Sequence, residues 1–595
     1  MTSERTAAPA PPSTWIDTLS LVACALLAYG LNAYVGRIGY MALDQSIVFD
    51  GGWRLLNGQV PWRDFMTPNG LAPMALQAVV FAVGGVSWSA YVAHAGLVNA
   101  AGAVVVLLFL RAAGLGAWPA VATSAATAVW LYPLMGTPYM DQHSLFFAGV
   151  ALLACWHAAA TDRRGWWAAA GVAAALAILS KQVPAVVFLP LCGLTLFLAP
   201  ARRVVPGLLI SLISALAIIA LTFGVVVALG ARLADIVEFS WSVPAELGRL
   251  RMADPATDFI AQLQIVRGVL PLSYWGIVGL LSATLIAFLQ SRGRRAGTAA
   301  LKGCATPPGT TPPGTAAGQS GVRSGLTYSA AGVGLLAATV QAFAWTFNAE
   351  ALLVGWVPLA TALMLLGLRR LVLADDAAPR RSIVRVLMHA ATVVVPILVL
   401  ADAAAGYRDV ALPREANDMV VTAAERAQPL PDGPLRSTGF TVWKVPNPYV
   451  SASDSFERLL EFFAQRPGNL MIMGDETIVY GLTGRPSVTP FAWFHPGLTF
   501  RRTAEAYARV DRLLDASLRK HAVRWIVIPA NPSWMGWNRR TWVSLRQNLA
   551  GASCEAVGTY EVCDVASQYR GRAPHHLDTA VESVAGFRYF AYQSR

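Results

Sequence analysis

Charge is what this sequence has least of. Only 13% of its 595 residues are Asp, Glu, Lys or Arg, where a soluble domain carries about 25%, so a purely water-soluble fold is excluded. Acid is scarcer than base, 34 residues against 46, for a formal net charge of +12. A nucleic-acid binder would gather that excess into a basic stripe, whereas here the arginines stand in short clusters between apolar runs. No nucleic-acid partner is expected. Cysteine is also rare, six in all. Cys24, Cys155 and Cys192 fall in apolar runs, where cysteine acts as a small hydrophobe, and Cys304 in a Pro/Gly-rich segment, leaving Cys554 and Cys563 as a pair. There is no internal repeat, and no small-residue cleavage site follows the first apolar run, so that run reads as an uncleaved helix.

What is abundant is hydrocarbon, with 55% hydrophobic residues. Apolar runs of membrane-spanning length fall near 15–36, 89–110, 117–133, 143–160, 165–180, 184–200, 205–229, 271–290, 326–346, 350–370 and 382–404. The run 72–86 is too short to span and reads as re-entrant or interfacial. If it does not span, Arg111, Arg163-Arg164, Arg202-Arg203, the 291–325 segment and Arg369 to Arg385 all fall on one side. Positively charged loops stay in the cytoplasm. The expectation is therefore a polytopic helical membrane protein with about eleven spans over 15–405, entered by a disordered cytoplasmic tail over 1–14. Its cytoplasmic linker over 291–325 is expected to be flexible.

That topology puts 37–88, the loop Tyr132 to His143, the 230–270 loop and everything after 405 outside the membrane. In the first of these, Asp44, Asp50, Arg54, Arg63 and Asp64 lie close to a bilayer, where charge is costly and tends to mark function. Phe49 to Phe65 reads as an amphipathic helix ending in a Pro-Trp-Arg turn, and Pro68-Asn69-Gly70 opens the re-entrant run. From 406 to 595 the composition is that of a soluble domain. Leu470 to Met473 and Trp525 to Ile528 read as buried strands, with a helical pattern over Ala504 to Arg519 between them, which makes a small α/β domain. Near its end, Gly558-Thr559 as a two-residue turn pairs Val557 with Tyr560, Ala556 with Glu561, Glu555 with Val562 and Cys554 with Cys563. Glycine at the first turn position suits type II′. The cysteines then oppose each other at a non-hydrogen-bonded site, about 4.5 Å apart at Cα, within reach of a disulfide.

Asp44-Gln45 after the first span, a second acid in Pro138-Tyr139-Met140-Asp141 and a lysine in Leu179-Ser180-Lys181-Gln182 follow one another in outer positions. This order resembles the GT-C superfamily of integral-membrane glycosyltransferases, in particular the branch with the lipid A aminoarabinose transferase and the protein O-mannosyltransferases. The likeness covers about the first 200 residues and continues weakly into Gly474-Asp475 and Tyr480-Gly481-Leu482-Thr483-Gly484-Arg485. The resemblance implies a GT-C fold with an extracytoplasmic C-terminal domain in the bacterial cytoplasmic membrane. It also implies transfer of a sugar from a polyprenyl-phosphate donor to a lipid, polysaccharide or protein acceptor of the cell envelope.

The residues suit that chemistry. An oxocarbenium-like transition state wants a carboxylate at the acceptor hydroxyl and cations at the departing phosphate. Asp44 and Asp141 are the candidate catalytic acids. Lys181, Arg249, Arg251, Arg63, Gln45 and His143 are the candidate substrate and phosphate ligands. There is no Asp-x-Asp pair, the metal–diphosphate device of nucleotide-sugar enzymes. Many family members carry a second acid where this chain has Gln45, so no metal is expected to be required. A divalent ion would fall to Asp44, Asp141 and His143. Plainer roles stand beside these. Asp44 suits the N-cap of the helix running into Phe49 to Leu56, and Asp141 that of the helix starting near Ser144. Lys181 can snorkel to head groups, Arg54, Arg63 and Asp64 can be an ion-pair network, and His143 can be a loop residue. A transporter or flippase for lipid-linked sugars is the alternative function; such proteins show repeats and helices broken at the midplane.

Overall fold

The computed structural model describes residues 14–40, 42–251, 255–302, 315–346, 354–373, 383–413, 424, 452–495, 499–529 and 542–566. The chain begins α1 (Thr14–Val35), α2 (Ala42–Leu56), α3 (Leu71–Gly84), α4 (Trp88–Ala112), α5 (Ala117–Trp130), α6 (Met140–Thr161), α7 (Arg164–Ser180) and α8 (Gln182–Phe188). α8 tightens into a 3₁₀ stretch over Leu189–Phe197 and leads to α9 (Ala201–Ala228). The short helices α10 (Leu233–Val237), α11 (Val243–Arg251) and α12 (Pro255–Val269) follow. The last long helices are α13 (Pro271–Lys302), α14 (Thr315–Thr346), α15 (Val357–Leu373) and α16 (Ile383–Gly406).

Each of the eleven expected spans overlaps one of these helices, and among the described residues seven are long and apolar enough by themselves to cross a membrane. This is a multi-pass membrane protein. Burial sorts the helices: 72% of the α6 stretch and 83% of the α15 stretch lie inside the bundle, against 11% for α9, which presents itself to lipid. Between lipid-facing helices there is no hydrophobic drive to associate, so close backbone approach over small residues does the work. A Cβ on Gly171 of α7 would lie 2.1 Å from the Ser211 carbonyl of α9, and one on Gly149 of α6 the same distance from the Trp356 ring. Buried amides add cross-links, as Asn99 Nδ2 donates to the Ala28 and Ala128 carbonyls at 2.9 and 2.7 Å.

Three boundaries differ from the sequence expectation. α2 starts at Ala42 and stops at Leu56, because Gly58 and then Trp62 take positive φ, so the loop beyond is a turn and not more helix. α6 starts at Met140, with Tyr139 at its N-cap. The linker expected over 291–325 is helical at both ends, since α13 continues to Lys302 and α14 begins at Thr315. The stretch Gln290 to Lys302 has no proline and is rich in Ala and Arg, good helix formers. The expected tail over 1–14 lies almost wholly outside the described residues.

The C-terminal domain contains α17 (Ser453–Gln465), β1 (Asn469–Ile472), α18 (Ile478–Leu482), α19 (Ala504–Lys520), β2 (Val523–Pro529), α20 (Val543–Leu549), β3 (Ser553–Val557) and β4 (Tyr560–Asp564). Its sheet has the order β1-β2-β4-β3, with β1 parallel to β2 and the other pairs antiparallel. The β3–β4 hairpin has the expected register throughout. Gly558 has φ 60 and Cys554–Cys563 is a disulfide with 4.0 Å between Cα atoms.

Candidate active site

α2 is the helix that carries Asp44, and its surroundings are set by a buried ion pair nearly two turns further on. Asp50 Oδ2 receives Arg54 Nε at 2.7 Å with both side chains fully buried. Ser487 donates to the other Asp50 oxygen. Arg54 also donates to the Thr489 carbonyl and hydroxyl at 2.9 and 2.6 Å and lies over the Phe65 ring. Burial pushes the Asp50 carboxyl up, against the pull of Arg54 and Ser487. The pair thus clamps α2 to the C-terminal domain. Backbone bonds between Met66 and Pro490 and between Ala492 and Met66, at 2.8 and 3.0 Å, extend the clamp.

The resemblance motif of the C-terminal domain belongs to the same seam. A Cβ on Gly481 would sit 2.8 Å from Phe49 of α2, so only glycine lets α18 lie this close. Arg485 donates to the Phe463 and Gly468 carbonyls, each at 2.7 Å, closing the end of α17. At the head of α2, the Tyr40 hydroxyl bonds Ser46. Burial, with Glu476 beside it, pushes the Tyr40 phenol well up, so it stays protonated.

Asp141 and Lys181 meet at the same end of the bundle. Asp141 lies in the first turn of α6, fully buried, and Lys181 Nζ donates to its Oδ2 at 2.7 Å. Lys181 is extended, φ −161, between α7 and α8. The break frees backbone groups that α6 and the loop after α2 take up. The Gly70 N–H donates to the Ser180 carbonyl at 2.9 Å, and Ser144 Oγ donates to the Lys181 carbonyl at 2.8 Å. Gln182 Nε2 donates to the Pro68 and Ser240 carbonyls at 3.3 and 3.1 Å. The start of α6, the α7–α8 break and the loop that follows α2 therefore meet at one junction.

The other expected ligands are placed differently. The Asp44 side chain lies outside the described residues; its backbone is in the first turn of α2, which begins two residues earlier, so the N-cap role does not apply. Asp141 is likewise one residue inside its helix and not its cap. Lys181 turns inward to Asp141 instead of snorkelling. Gln45 is buried and donates to the Met135 carbonyl at 2.9 Å. Arg63 binds the Asp64 carboxylate at 2.6 Å and the Leu229 carbonyl at 2.7 Å, so the expected network of Arg54, Arg63 and Asp64 is two separate pairs. Arg249 is exposed on α11, and the Arg251 side chain lies outside the described residues.

His143 belongs to α6 and is buried. Its Nδ1 lies 2.5 Å from the Tyr132 hydroxyl and its Nε2 3.1 Å from His94 Nε2, while His94 Nδ1 lies 2.8 Å from Gln77 Oε1. A chain of four side chains so ties α3 to α4, α6 and the end of α5. The sequence offered no signal for it, since Gln77 and His94 are single polar residues in apolar runs. Of the three candidate metal ligands, Asp141 is thus engaged by Lys181 and His143 by Tyr132. Among the described residues the one close group of three metal-ligating types is Cys554, Glu561 and Cys563, whose sulfurs are joined to each other.

No family model and no curated relative matches the chain. Among solved structures it is similar to ArnT from Cupriavidus metallidurans bound to undecaprenyl phosphate, with a TM-score of 0.50 and 14% identity over 94% of this chain and 99% of that one. The likeness runs through the membrane bundle and the C-terminal domain alike, and shows a GT-C-like fold.

Proposed function

We propose that this protein is a glycosyltransferase that moves a sugar from a polyprenyl-phosphate donor to an acceptor of the cell envelope, on the outer face of the bacterial cytoplasmic membrane. The observation that carries the reading is the buried Asp141–Lys181 pair at the α7–α8 break, beside the loop that follows the Asp44 helix, in a chain with this fold. A structure of similar fold holds undecaprenyl phosphate. The phosphate of such a donor is already a competent leaving group. What remains is to take a proton from a poorly nucleophilic hydroxyl and to hold the phosphate as charge grows on it. Asp44 serves as the general base, and Lys181, held by Asp141, faces the phosphate. The N-terminus is cytoplasmic and the C-terminal domain outside.

The test is transfer and hydrolysis of labelled undecaprenyl-phosphate sugars by the purified protein in nanodiscs. Asp44→Asn should fold and bind donor yet lose at least about a hundredfold in turnover, the usual worth of a positioned base. Near-normal turnover of that variant would end the assignment. No divalent ion is assigned to the reaction, since Asp141 and His143 are engaged within the protein. Turnover that EDTA abolishes and a divalent ion restores would overturn that part alone.

A further inference from the structure

The segment after α9 sorts its side chains sharply. Residues 233–251 are helical throughout, α10 and α11 being joined by a π turn over Glu238–Ser242. The three acids of this run are all held by arginines of the C-terminal domain. Arg509 binds Asp235 and Glu238 at 2.7 and 2.6 Å, and Arg501 binds Glu246 at 3.0 Å. Ile236, Phe239 and Val243 are buried, with the Phe239 ring 6.2 Å from Phe491. The Ser240 carbonyl accepts from Gln182 at 3.1 Å, which ties the run to the α7–α8 break. What is left outside is apolar: Leu233, Val237 and Trp241, 48 to 69% exposed and four residues apart. A spacing of four drifts around an α-helix of 3.6 residues per turn. The wider π turn, closed by Val243 N–H on the Glu238 carbonyl, takes that drift back and keeps Trp241 in line.

Two observations say what covers this stripe. The first is continuity. α9 spans the membrane with only 11% of its apolar stretch inside the bundle, and its last turns expose Leu221, Val225 and Leu229 at the same spacing of four. The stripe resumes that lipid-facing row directly after the turn at Gly230. The second is charge. With every acid drawn to the C-terminal domain, the outward face holds Leu, Val and Trp, and Arg232 beside them is 79% exposed. Tryptophan favours the membrane–water boundary, and arginine reaches head groups from there along its apolar stem. A helix with its charges on one face and Trp and Leu on the other lies in the interface plane. We infer that the 233–251 run is an interfacial helix whose Leu233–Val237–Trp241 stripe is sunk in the bilayer where acyl chains meet head groups. The partner of this surface is the bilayer itself. The segment that the sequence offers as a loop outside the membrane is thereby a helix lying on it.

The test is depth. The full-length protein in nanodiscs carries a nitroxide at Val237→Cys, with Cys24, Cys155, Cys192 and Cys304 replaced by alanine. Power saturation compares relaxation by oxygen, which gathers in lipid, with relaxation by a nickel chelate, which stays in water. Leu216→Cys on the exposed face of α9 and Arg512→Cys on the exposed face of α19 give the lipid and water references. The label at 237 should follow Leu216→Cys, with oxygen the stronger relaxant. If the cysteine-poor background does not fold, the parent chain decides. With fluorotryptophan label, the Trp241 signal is identified by its loss in Trp241→Phe, and should be broadened by nitroxide-bearing lipid and not by a water-soluble gadolinium chelate. A 237 label that follows Arg512→Cys, or a Trp241 signal broadened by the chelate alone, overturns the inference and leaves a solvated surface. A stripe that neither reagent reaches overturns it as well, because a second copy of the chain then covers it. Contact with lipid that arises only on adding polyprenyl phosphate overturns it in favour of a groove for that one lipid. None of these readouts requires turnover, so the inference stands or falls apart from the transferase reading.

Discussion

Asp141 and Lys181 show why a buried charge pair should be read by what happens when one half is removed. The carboxylate is fully buried and the ammonium 16% exposed. Deleting one partner of such a pair leaves the other charged in an apolar interior, at a cost of roughly 3–5 kcal/mol, whereas removing both is far cheaper. Lys181→Met should therefore destabilise the protein by about 3 kcal/mol in thermal or denaturant unfolding. The double variant Asp141→Asn/Lys181→Gln should recover most of that loss. If the lysine also faces the donor phosphate, the double variant will be stable and still show a raised donor KM. A stable double variant with an unchanged KM would reduce the pair to scaffolding.

At the scale of the element, the tightest constraints are where helices touch backbone to backbone. Gly171 of α7 meets a carbonyl of α9 and Ser214 beside it, with no room for a methyl group. Gly171→Leu should push α9 off the bundle and lower the unfolding midpoint, by the 1–3 kcal/mol typical of overpacking or more. A methyl group on Gly165 would meet only open space, so that position should accept alanine without loss. Unfolding of the two variants side by side, in the same lipid, checks the contrast. The break between α7 and α8 belongs to this scale too. An unwound turn is tolerated at membrane depth only where protein takes up its polar groups, as Gly70 and Ser144 do here.

At the scale of the molecule, the C-terminal domain is fastened by charge at several places to the loop after α2 and to the segment after α9. Asp64 accepts from Lys520 of α19 at 3.1 Å, and Arg509 of the same helix binds Asp235 and Glu238 at 2.7 and 2.6 Å. Partial burial works to raise the Asp64 carboxyl, but bonds from Arg63, the Val60 N–H and Lys520 outweigh it and hold the group below its usual value. A carboxyl lowered in the folded state binds fewer protons there than in the unfolded chain. Its contribution is thus complete above the ordinary carboxylate range near pH 4 and is lost as pH falls through the lowered value. Asp64→Asn should accordingly be less stable than the parent at pH 7, and the difference should shrink below about pH 4. Melting curves over that range decide it. A difference that grows on acidification would refute the account.

Whatever depends on local pattern could be read along the chain. Continuous apolar runs located the spans, because hydrocarbon admits only such segments. The two strands were legible as short apolar runs, the helix between them from its helical spacing, and the hairpin register with its Cys554–Cys563 bridge because a glycine-led two-residue turn fixes the pairing. The order of Asp44, Asp141 and Lys181 was legible as well, since each follows or ends a span. Which polar groups are already spent was settled by packing alone. Gln45, Arg63 and His143 look available in the sequence and are engaged by Met135, Asp64 and Tyr132 in the fold. Hydrogen bonds between residues 50 and 487, or 77 and 94, arise from how helices pack in three dimensions, and no periodicity along the chain encodes them.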